Sequence, residues 1–348
     1  MARPRKPKAI DLFSGCGGLT LGLKQAGFRV IGAVESNELA VRTYKANHNS
    51  VRVWPKDIRK VSVADVRRRL KLELGELELL AGCPPCQGFS TITTLNGNKR
   101  RSTDERNDLI FQFMRFVRGL KPKAVMLENV PRLATNWRLK SVLAELRRLG
   151  YECTPGVLNA ADYGVAQRRR RFILLAGRRV EIPFAQEARV KLVVRHAIGR
   201  LSKRARKHPL HNYKERRSEK VMKRIKRIPS NGGSRFALGK RSQLPCHKEF
   251  DGFKDIYGRM AWAEVAPTIT TGCFNPSKGR FLHPTNHRAI TLREAALLQS
   301  FPISYVFLLD NGRIATAEMI GNALPPEFVR RHARQIIRAL ETNDGRCV

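Results

Sequence analysis

The sequence predicts a doubly wound, mostly parallel α/β sheet with a smaller inserted domain, and three observations support this fold class. Short apolar runs alternate with helix-period segments over the first 180 residues. Glycine and acidic residues follow several of these runs, where such sheets carry their ligand-binding residues. A strongly basic segment then differs in composition from everything before it. Alternation of strands and helices favours right-handed crossovers and a parallel sheet.

Five apolar runs have the length and the flanking residues of buried parallel strands. Each is brief and bounded by Gly, Pro or a charged residue. The runs are Ala9–Phe13, Val30–Val34, Leu77–Ala81, Val125–Leu127 and Phe172–Ala176. We therefore expect these segments to form the sheet, with Asp57 and Ile58 marking the end of a further strand.

Two segments between these runs have the periodicity of amphipathic helices. Leu139, Val142, Leu143 and Leu146 recur at the spacing of one helix face. Gly150 follows them and suits the left-handed conformation that ends many helices. The second segment spans residues 109–117 and has the same periodicity. The sequence therefore predicts helices in both places.

Length and charge restrict the class of protein. The chain has 348 residues, with 67 Lys and Arg against 29 Asp and Glu, so its formal net charge is +38. This length suggests two domains, or one large domain with an insertion. The sequence has no apolar run of 18 residues and no secretory signal, and its seven cysteines are irregularly spaced, as in a reducing compartment. We expect no membrane association, and nucleic acid is the leading partner.

The positive charge is concentrated in one segment. Residues 185–250 contain 20 Lys and Arg against 4 Asp and Glu, a local net charge of +16. One interpretation is a solvated insertion. The other is a phosphate-binding surface, whose affinity for nucleic acid would depend steeply on salt.

Glycines follow the first apolar run, in the segment Asp11-Leu-Phe-Ser-Gly15-Cys-Gly17-Gly18. They allow a sharp turn into a helix whose N–H groups can hold an anionic group. A dinucleotide fingerprint needs a further glycine where Thr20 stands, which weakens an NAD interpretation. Glu35 follows the second run, 20 residues after Gly15, where a carboxylate can accept hydrogen bonds from ribose hydroxyls. These spacings predict a nucleoside-containing cofactor.

A Cys-Pro-Pro-Cys sequence follows the run Leu77–Ala81. Such a pair is half of a zinc site, a redox pair or the frame of one catalytic thiol. Zinc needs a second pair, and the cysteines at positions 153, 246 and 273 have no partner at that spacing. The redox interpretation lacks a thioredoxin-like start to the chain. We therefore predict no metal site and favour a catalytic thiol.

Glu128 follows the buried run Val125–Leu127 in the sequence Glu-Asn-Val-Pro. A carboxylate just past a buried strand can lie in a poorly solvated pocket, where a raised pKa lets it donate a proton. For Glu128 alone, a surface charge at a strand end would be the simpler interpretation. A catalytic thiol elsewhere on the same sheet edge makes the proton-donating role plausible.

These segments, in this order, resemble the motif series of the cytosine-5 DNA methyltransferases, in particular those of bacteria. DLFSGCGGLTLGLKQAGF resembles the family's S-adenosylmethionine loop, PPCQGFS its nucleophile motif, ENVP its glutamate motif and YGVAQRRRRFILLA its QxRxR motif. TLREAALLQSFP and GNALPP resemble the last two conserved blocks. The resemblance covers about residues 9–177 and 255–345 and implies a Rossmann-like, class I methyltransferase fold.

The resemblance implies a role for each motif residue. Cys86 would be the nucleophile that adds to cytosine C6, Glu128 would hold the base and supply a proton, and Arg169 would bind the base O2. Residues implied to bind S-adenosylmethionine are Phe13, Ser14, Gly15, Gly17, Glu35, Asp57, Ile58, Pro85 and Asn322. Residues implied to contact DNA are Gln87, Ser90, Arg171, Thr268, Thr270 and Arg280.

Two positions in the QxRxR motif depart from the family. Proline is frequent where Ala166 stands, and an acidic residue is frequent where Arg170 stands. These departures put the local geometry and charge of the motif in doubt. We expect Arg171 to pair mainly with groups at a strand end. The alternative interpretation of the four consecutive arginines is a solvated basic strip.

The resemblance also implies a domain organisation and partners. Catalytic residues 1–184 and 288–348 would flank a target-recognition domain at residues 185–287, which contains the basic segment. The substrate would be a flipped-out cytosine in double-stranded DNA. We further expect a monomer in the bacterial cytoplasm, associated with the nucleoid through DNA, and a cognate restriction endonuclease acting on the same site.

Two other functions stay open. One is cytosine-5 methylation of tRNA by a relative with the same nucleophile motif, and the large basic insertion argues against it. The other is a DNA-binding relative without catalysis, which the intact Cys86, Glu128 and Arg169 argue against.

Overall fold

The computed structural model describes residues 5–85, 108–201, 206–212, 217–239 and 255–343. The chain forms two compact units. The first contains Met1–Tyr163, Arg170–Glu187 and Leu324–Val348, and the second contains Gly164–Arg169 and Ala188–Ala323. In the described residues, no helix is long and apolar enough to cross a membrane.

A single sheet organises the first unit. Its strands are β1 (Lys8–Leu12), β2 (Arg29–Val34), β3 (Arg52–Trp54), β4 (Leu79–Gly82), β5 (Ala124–Asn129), β6 (Tyr151–Asn159) and β7 (Arg170–Arg178). Their order across the sheet is β3-β2-β1-β4-β5-β7-β6. The neighbours from β3 to β5 are parallel. The prediction of a doubly wound, mostly parallel α/β sheet is therefore confirmed.

One strand runs in the opposite direction to the one we expected. Strand β7 contains the predicted parallel strand Phe172–Ala176, but it pairs antiparallel with both β5 and β6. Both faces of its central residues are buried, so the apolar run is the same for either direction. Strand β6, which the sequence did not indicate, contains Pro155 and Gly156 and lies at the sheet edge, where such residues are tolerated.

Helices cover the sheet of the first unit. Those within the described ranges are α1 (Gly18–Ala26), α2 (Glu38–Asn47), α3 (Val63–Leu70), α4 (Leu109–Leu120), α5 (Trp137–Arg148) and, much later in the chain, α10 (Pro326–Asn343). The predicted helices at residues 109–117 and 139–146 correspond to α4 and α5. Gly150 has φ of 82°, the left-handed conformation expected after α5.

Helices α1 and α10 pack closely because α1 has a glycine at the contact. A Cβ atom on Gly22 would lie 2.5 Å from the carbonyl oxygen of Pro326 and 2.5 Å from Cβ of Val329. Real Cβ atoms do not approach other atoms this closely, so the contact requires glycine. The helix that follows the first strand is thus held by a helix from the other end of the chain.

The second unit has short helices joined by long loops. Among the residues that the structure describes, its α-helices are α6 (Val194–Ile198), α7 (Glu219–Arg227), α8 (Leu292–Leu298) and α9 (Gly312–Asn322). The guanidinium of Arg259 is buried and donates to the carbonyl oxygens of Ile225, Ile228, His283 and Asn286 at 2.7–3.0 Å. These bonds join the end of α7 to the loop before α8.

Candidate active site

Five parallel strands bring their carboxyl ends to one edge of the first unit's sheet. Strand β1 has β2 on one side and β4 on the other, so the strand order reverses beside it. Ligands of doubly wound sheets bind outside the carboxyl ends of the strands at such a reversal. The residues after β1, β2, β3, β4 and β5 therefore define the candidate site.

The loop after β1 has an unusual backbone. Phe13, Gly15 and Gly17 have φ of 60°, 52° and 95°, all in the left-handed region. Nothing lies within 4 Å of a Cβ atom built on Gly15, so the left-handed φ, and not lack of space, is what favours glycine here. The same open space leaves room for a ligand beside the loop. Helix α1 begins at Gly18, directly after the loop.

Glu35 fixes the middle of this loop from the end of β2. Its Oε2 accepts a hydrogen bond from the backbone N–H of Gly15 at 2.8 Å. Its Oε1 accepts from the N–H groups of Ser36 and Asn37, each at 2.8 Å. These bonds orient the carboxylate at the sheet edge, where ribose hydroxyls would reach it.

Asp57 and Ile58 follow β3 and form a turn at the same edge. The Asp57 side chain accepts from the N–H of Arg59 at 2.8 Å and so caps the turn that begins at Ile58. Arg59 also binds the carboxylate through its side chain, with Nη2 at 2.6 Å from Oδ2, and this guanidinium lowers the pKa of Asp57. Ile58 is buried beside it.

This donor set suits S-adenosylmethionine. The loop has open space at Gly15, and Glu35 holds an oriented carboxylate beside it. In addition, the Ser14 hydroxyl is buried and has no hydrogen-bond partner among the described residues. A buried polar atom of this kind is uncommon in a native fold and is accounted for when a polar ligand bonds to it.

Glu128 lies at the end of β5 and is paired with a cation. Arg171 Nε is 2.9 Å from Glu128 Oε1, and both side chains are largely buried. The next residue, Asn129, donates from Nδ2 to the carbonyl oxygen of Pro84 at 3.0 Å. Pro85 is half-buried, and Cys86, Gln87 and Ser90 lie outside the described residues. The glutamate strand is thus tied to the segment that leads to Cys86.

Arg169 has different partners, within the second unit. Its guanidinium is buried and donates to the carbonyl oxygens of Ile269 at 3.2 Å, Gly321 at 2.9 Å and Asn322 at 3.4 Å. The amide of Gln167 accepts from the N–H of Ile269 at 2.7 Å. The QxRxR motif therefore anchors the loop around residue 269.

The other predicted DNA contacts also lie in the second unit. Thr268 is half-buried and donates through Oγ1 to the Arg168 carbonyl oxygen at 2.7 Å, and Thr270 is also half-buried. Arg280 Nε is 2.9 Å from Asp255 Oδ1, and its Nη1 donates to the Gly232 carbonyl oxygen at 3.0 Å. Arg280 thus supports the loop structure of this unit.

Sequence reasoning did not assign roles to Asn129 or Gln167. Both stand inside recognised motifs, next to Glu128 in one case and two residues before Arg169 in the other. Their partners are backbone groups 45 and 102 residues away along the chain, so the pairing cannot be read from the sequence. Their place within the motifs was the available signal.

Comparison with known proteins identifies the family. The family model described as C-5 cytosine-specific DNA methylase matches residues 7–338. The chain is 34% identical to Type II methylase M.HgiDII of Herpetosiphon aurantiacus, over 95% of both chains. It is 32% identical to Type II methyltransferase M1.HphI of Haemophilus parahaemolyticus, over 96% of this chain and 87% of that protein.

A solved structure agrees on the fold. A prophage-encoded DNA modification methyltransferase from E. coli matches with a TM-score of 0.69 at 24% identity, over 96% of this chain and 99% of that chain. The chain has the class I methyltransferase fold, as predicted, and S-adenosylmethionine is the methyl donor of its family. It belongs to the C-5 cytosine-specific DNA methylases and is a DNA (cytosine-5)-methyltransferase.

Proposed function

We propose that this chain methylates C5 of a cytosine flipped out of a specific duplex sequence, with Cys86 as nucleophile and Glu128 as proton donor. The observation that carries the proposal is the joined geometry of two motifs. The Asn129 amide binds the Pro84 carbonyl oxygen at 3.0 Å, so the segment leading to Cys86 is tied to the strand that ends in Glu128.

The chemistry follows from the electron demand of the base. Cytosine C5 is a weak nucleophile, so the Cys86 thiolate first forms a bond to C6 and moves electron density toward C5. Glu128 holds the base at N3 and its exocyclic amine and supplies the proton that keeps the adduct from becoming an anion. Bound S-adenosylmethionine supplies an electrophilic methyl group on its sulfonium. After C5 is methylated, a base from solvent would take the C5 proton and the electron pair of that C–H bond would re-form the C5–C6 double bond. The C6–S bond would break with its electron pair on sulfur, which releases Cys86 as a thiolate, and N3 would return its proton to Glu128.

Arg169 and Arg171, the two arginines of the QxRxR motif, would have different roles. Arg171 is the cation beside Glu128, at 2.9 Å, and this favours Arg171 as the group that orients the glutamate. Arg169 was expected at the base O2. Its three bonds to backbone carbonyl oxygens favour a further role in holding the loop around Ile269.

The cofactor residues are proposed as a set that begins with Glu35 on the ribose. Its bonds to Gly15, Ser36 and Asn37 support this role because they orient the carboxylate. Asp57 and Ile58 would contact the adenine, and Pro85 and Asn322 would lie near the methionine end. The remaining residues of the set would bind the cofactor from the glycine loop: Phe13, Ser14, Gly15 and Gly17.

DNA recognition is assigned to residues 185–287, as an insertion between catalytic segments 1–184 and 288–348. The charge of +16 within residues 185–250 supports this assignment. Thr268 and Thr270 are the proposed contacts of this domain. Gln87, Ser90 and Arg171 would add contacts from the catalytic segment, and Arg280 would hold the recognition loop in place.

The relatives support further proposals about the setting. M.HgiDII and M1.HphI are named as type II enzymes, a class that acts alongside restriction endonucleases. We propose a monomer that works in the bacterial cytoplasm, bound to the nucleoid through its DNA, with a cognate endonuclease that cuts the same site.

Transfer of labelled methyl groups tests the central proposal. Wild-type protein should transfer label to plasmid DNA, Cys86→Ser should transfer none, and Cys83→Ser should transfer label like wild type. Label on tRNA in place of DNA, or equal transfer by Cys86→Ser and wild type, would contradict it. Bisulfite sequencing of the product would then identify the recognition sequence.

A further inference from the structure

A buried hydrogen-bond chain lies next to the glycine loop of the first unit. Asp11 on β1, Thr20 on α1 and Tyr44 on α2 are each 0% exposed. Thr20 Oγ1 donates to Asp11 Oδ2 at 2.7 Å and lies 2.8 Å from the Tyr44 hydroxyl. The methyl transfer described above uses none of these three side chains.

The direction of the chain depends on the protonation of Asp11. An ionised carboxylate only accepts, so the single Thr20 proton goes to Asp11 and Tyr44 must donate to Thr20. A protonated Asp11 can donate to Thr20, which then donates to Tyr44. One proton on Asp11 therefore sets the direction of each O–H along the chain.

His48 makes a second contact with the loop from the end of α2. Its Nε2 lies 3.2 Å from the carbonyl oxygen of Gly17, the last loop residue before α1. Burial lowers the pKa of His48 to about 4, so the ring is neutral, and Nε2 must carry the proton to donate to that oxygen. The ring also packs edge-on against Tyr44, with centroids 4.8 Å apart.

The loop needs this support because its backbone is strained. Phe13 is not a glycine, yet its φ is 60°, a conformation that persists only where the surroundings enforce it. Glu35 fixes the loop at Gly15, and His48 fixes it at Gly17. Thr20 and Tyr44 fix the first turn of α1, into which the loop leads.

We propose that Thr20, Tyr44 and His48 are positioning residues that hold the loop at residues 13–17 ready for S-adenosylmethionine, and that ionisation of Asp11 couples cofactor affinity to pH. The inference rests on the proposed function, since it takes this loop as the cofactor loop. Thr20, which occupies the place of a glycine in dinucleotide-binding loops, is here the centre of the supporting chain.

The direction of the pH effect follows from charge. Burial, with a smaller effect of the nearby Glu35 carboxylate, raises the pKa of Asp11 to about 7, although hydrogen bonds from Thr20 act in the opposite direction. The other titratable groups facing this region are Cys16, Tyr44, His48 and Lys24. S-adenosylmethionine carries a net positive charge, so it favours ionised Asp11. Binding should release a proton near neutral pH, and affinity should fall as the pH is lowered from 8 to 6.

A pair of tyrosine variants tests the positioning role. Tyr44→Phe removes one buried hydroxyl. Tyr151→Phe removes another, which donates to the Pro122 carbonyl oxygen at 2.6 Å on the far strand β6. Both variants should lose a few degrees in melting temperature. Isothermal titration calorimetry should show a Kd for S-adenosylmethionine raised about fivefold to tenfold for Tyr44→Phe only. An equal Kd for the two variants would overturn the positioning role.

Proton release tests the role of Asp11. Calorimetry at pH 7 in two buffers of different ionisation enthalpy measures the protons released when S-adenosylmethionine binds. Wild type should release up to one proton more than Asp11→Asn. If Asp11→Asn does not fold, Thr20→Val replaces it, and the pH at which proton release is half-maximal should differ from that of wild type. Equal release by wild type and a folded variant would overturn the coupling. Failure of wild type to bind the cofactor would instead overturn the proposed function.

Discussion

Nε of Arg171 lies 2.9 Å from Oε1 of Glu128, and the pairing of two antiparallel strands produces this contact. Glu128 on β5 lies opposite Ile173 on the antiparallel strand β7. Arg171 is on β7, two residues before Ile173, and reaches Glu128 from there. The two side chains are 17% and 11% exposed, so little water screens the pair. Loss of one partner would leave a buried, uncompensated charge.

Arg171→Gln should therefore slow methyl transfer by about 10²- to 10³-fold, because Glu128 would lose the cation that orients it. The Kd for S-adenosylmethionine should not change. Arg170→Gln is the control, since that neighbouring side chain is exposed and should be dispensable. Single-turnover rates with labelled cofactor measure the effect. Equal rates for both variants would remove Arg171 from the catalytic site.

Glu35→Ala should raise the Kd for S-adenosylmethionine by about tenfold or more, because the loop loses its bond at Gly15 and the ribose loses its acceptor. Glu38→Ala changes an exposed carboxylate three residues away and should have no effect. Equilibrium dialysis measures the Kd, and circular dichroism confirms that both variants fold. An unchanged Kd for Glu35→Ala would contradict the ribose role.

Helix α7 should contribute to the salt dependence of DNA binding. Lys223, Lys226 and Arg227 are exposed on it, whereas Ile225 is buried and Arg224 packs over Tyr257. Changing the three exposed residues to Gln should reduce the slope of log affinity against log salt by about 0.9 for each DNA phosphate that the variant no longer neutralises.

The control for this experiment removes the same charge elsewhere. Lys45, Lys71 and Lys121 lie at the ends of α2, α3 and α4, at the sheet edge opposite the candidate site. Their triple change to Gln should leave the slope unchanged. If both triple variants have the slope of wild type, the surface of α7 is a solvated face and does not bind DNA.

The contribution of Asp11 to the free energy of unfolding should fall as the pH rises, the reverse of an ordinary ion-paired carboxylate. Its pKa is about 7 in the folded chain against an ordinary value of 3.8, so the folded state binds the extra proton between these values. The stability that Asp11 contributes is therefore present below pH 4 and is lost as the pH rises through 7. Relative to wild type, Asp11→Asn should gain up to about 4 kcal/mol over this range. Urea unfolding at pH 5, 6, 7 and 8 measures the difference, and a constant difference would contradict a buried, titrating Asp11.

Gly22→Ala should destabilise the first unit by about 1–3 kcal/mol, because its methyl group would overlap the backbone of α10. The sign is informative, since alanine normally favours a helix by about 1 kcal/mol over glycine. Gln25→Ala, on the exposed face of the same helix, should change stability by less than about 0.5 kcal/mol. Urea unfolding compares the two. A Gly22→Ala variant as stable as wild type would show that α1 and α10 can separate.

The sequence predicted those parts of the fold that local patterns determine. The apolar runs at β1, β2, β4 and β5 and the helix face ending at Gly150 depend on neighbouring residues. The direction of β7 depends on the strand before it, β6, with which it pairs antiparallel. An apolar run that is buried on both faces is the same for a parallel and an antiparallel strand. Strand β6 was missed because most of its residues are half-buried and it includes Pro155 and Gly156.

The candidate site shows the same division. Motif order led to Glu128 and Glu35, and the expectation that Arg171 pairs at a strand end matches its contact with Glu128. The long-range bonds of Asn129 and Arg169 could not be inferred, because their acceptors are backbone oxygens with no signature of their own. Thr20 stands where a dinucleotide fingerprint needs glycine, and the structure shows it as a buried hydroxyl bonded to Asp11.

The contact of Gly22 with Val329 has a consequence for synthesis of the protein. The two residues are separated by some 300 positions, so a chain growing on the ribosome completes α1 long before its packing partner exists. At about 5–20 residues per second the interval is roughly 15–60 s. During that time the helix after the glycine loop, α1, lacks its contact with α10. Until α10 has been translated, α1 therefore cannot make the close packing contact that its glycine allows.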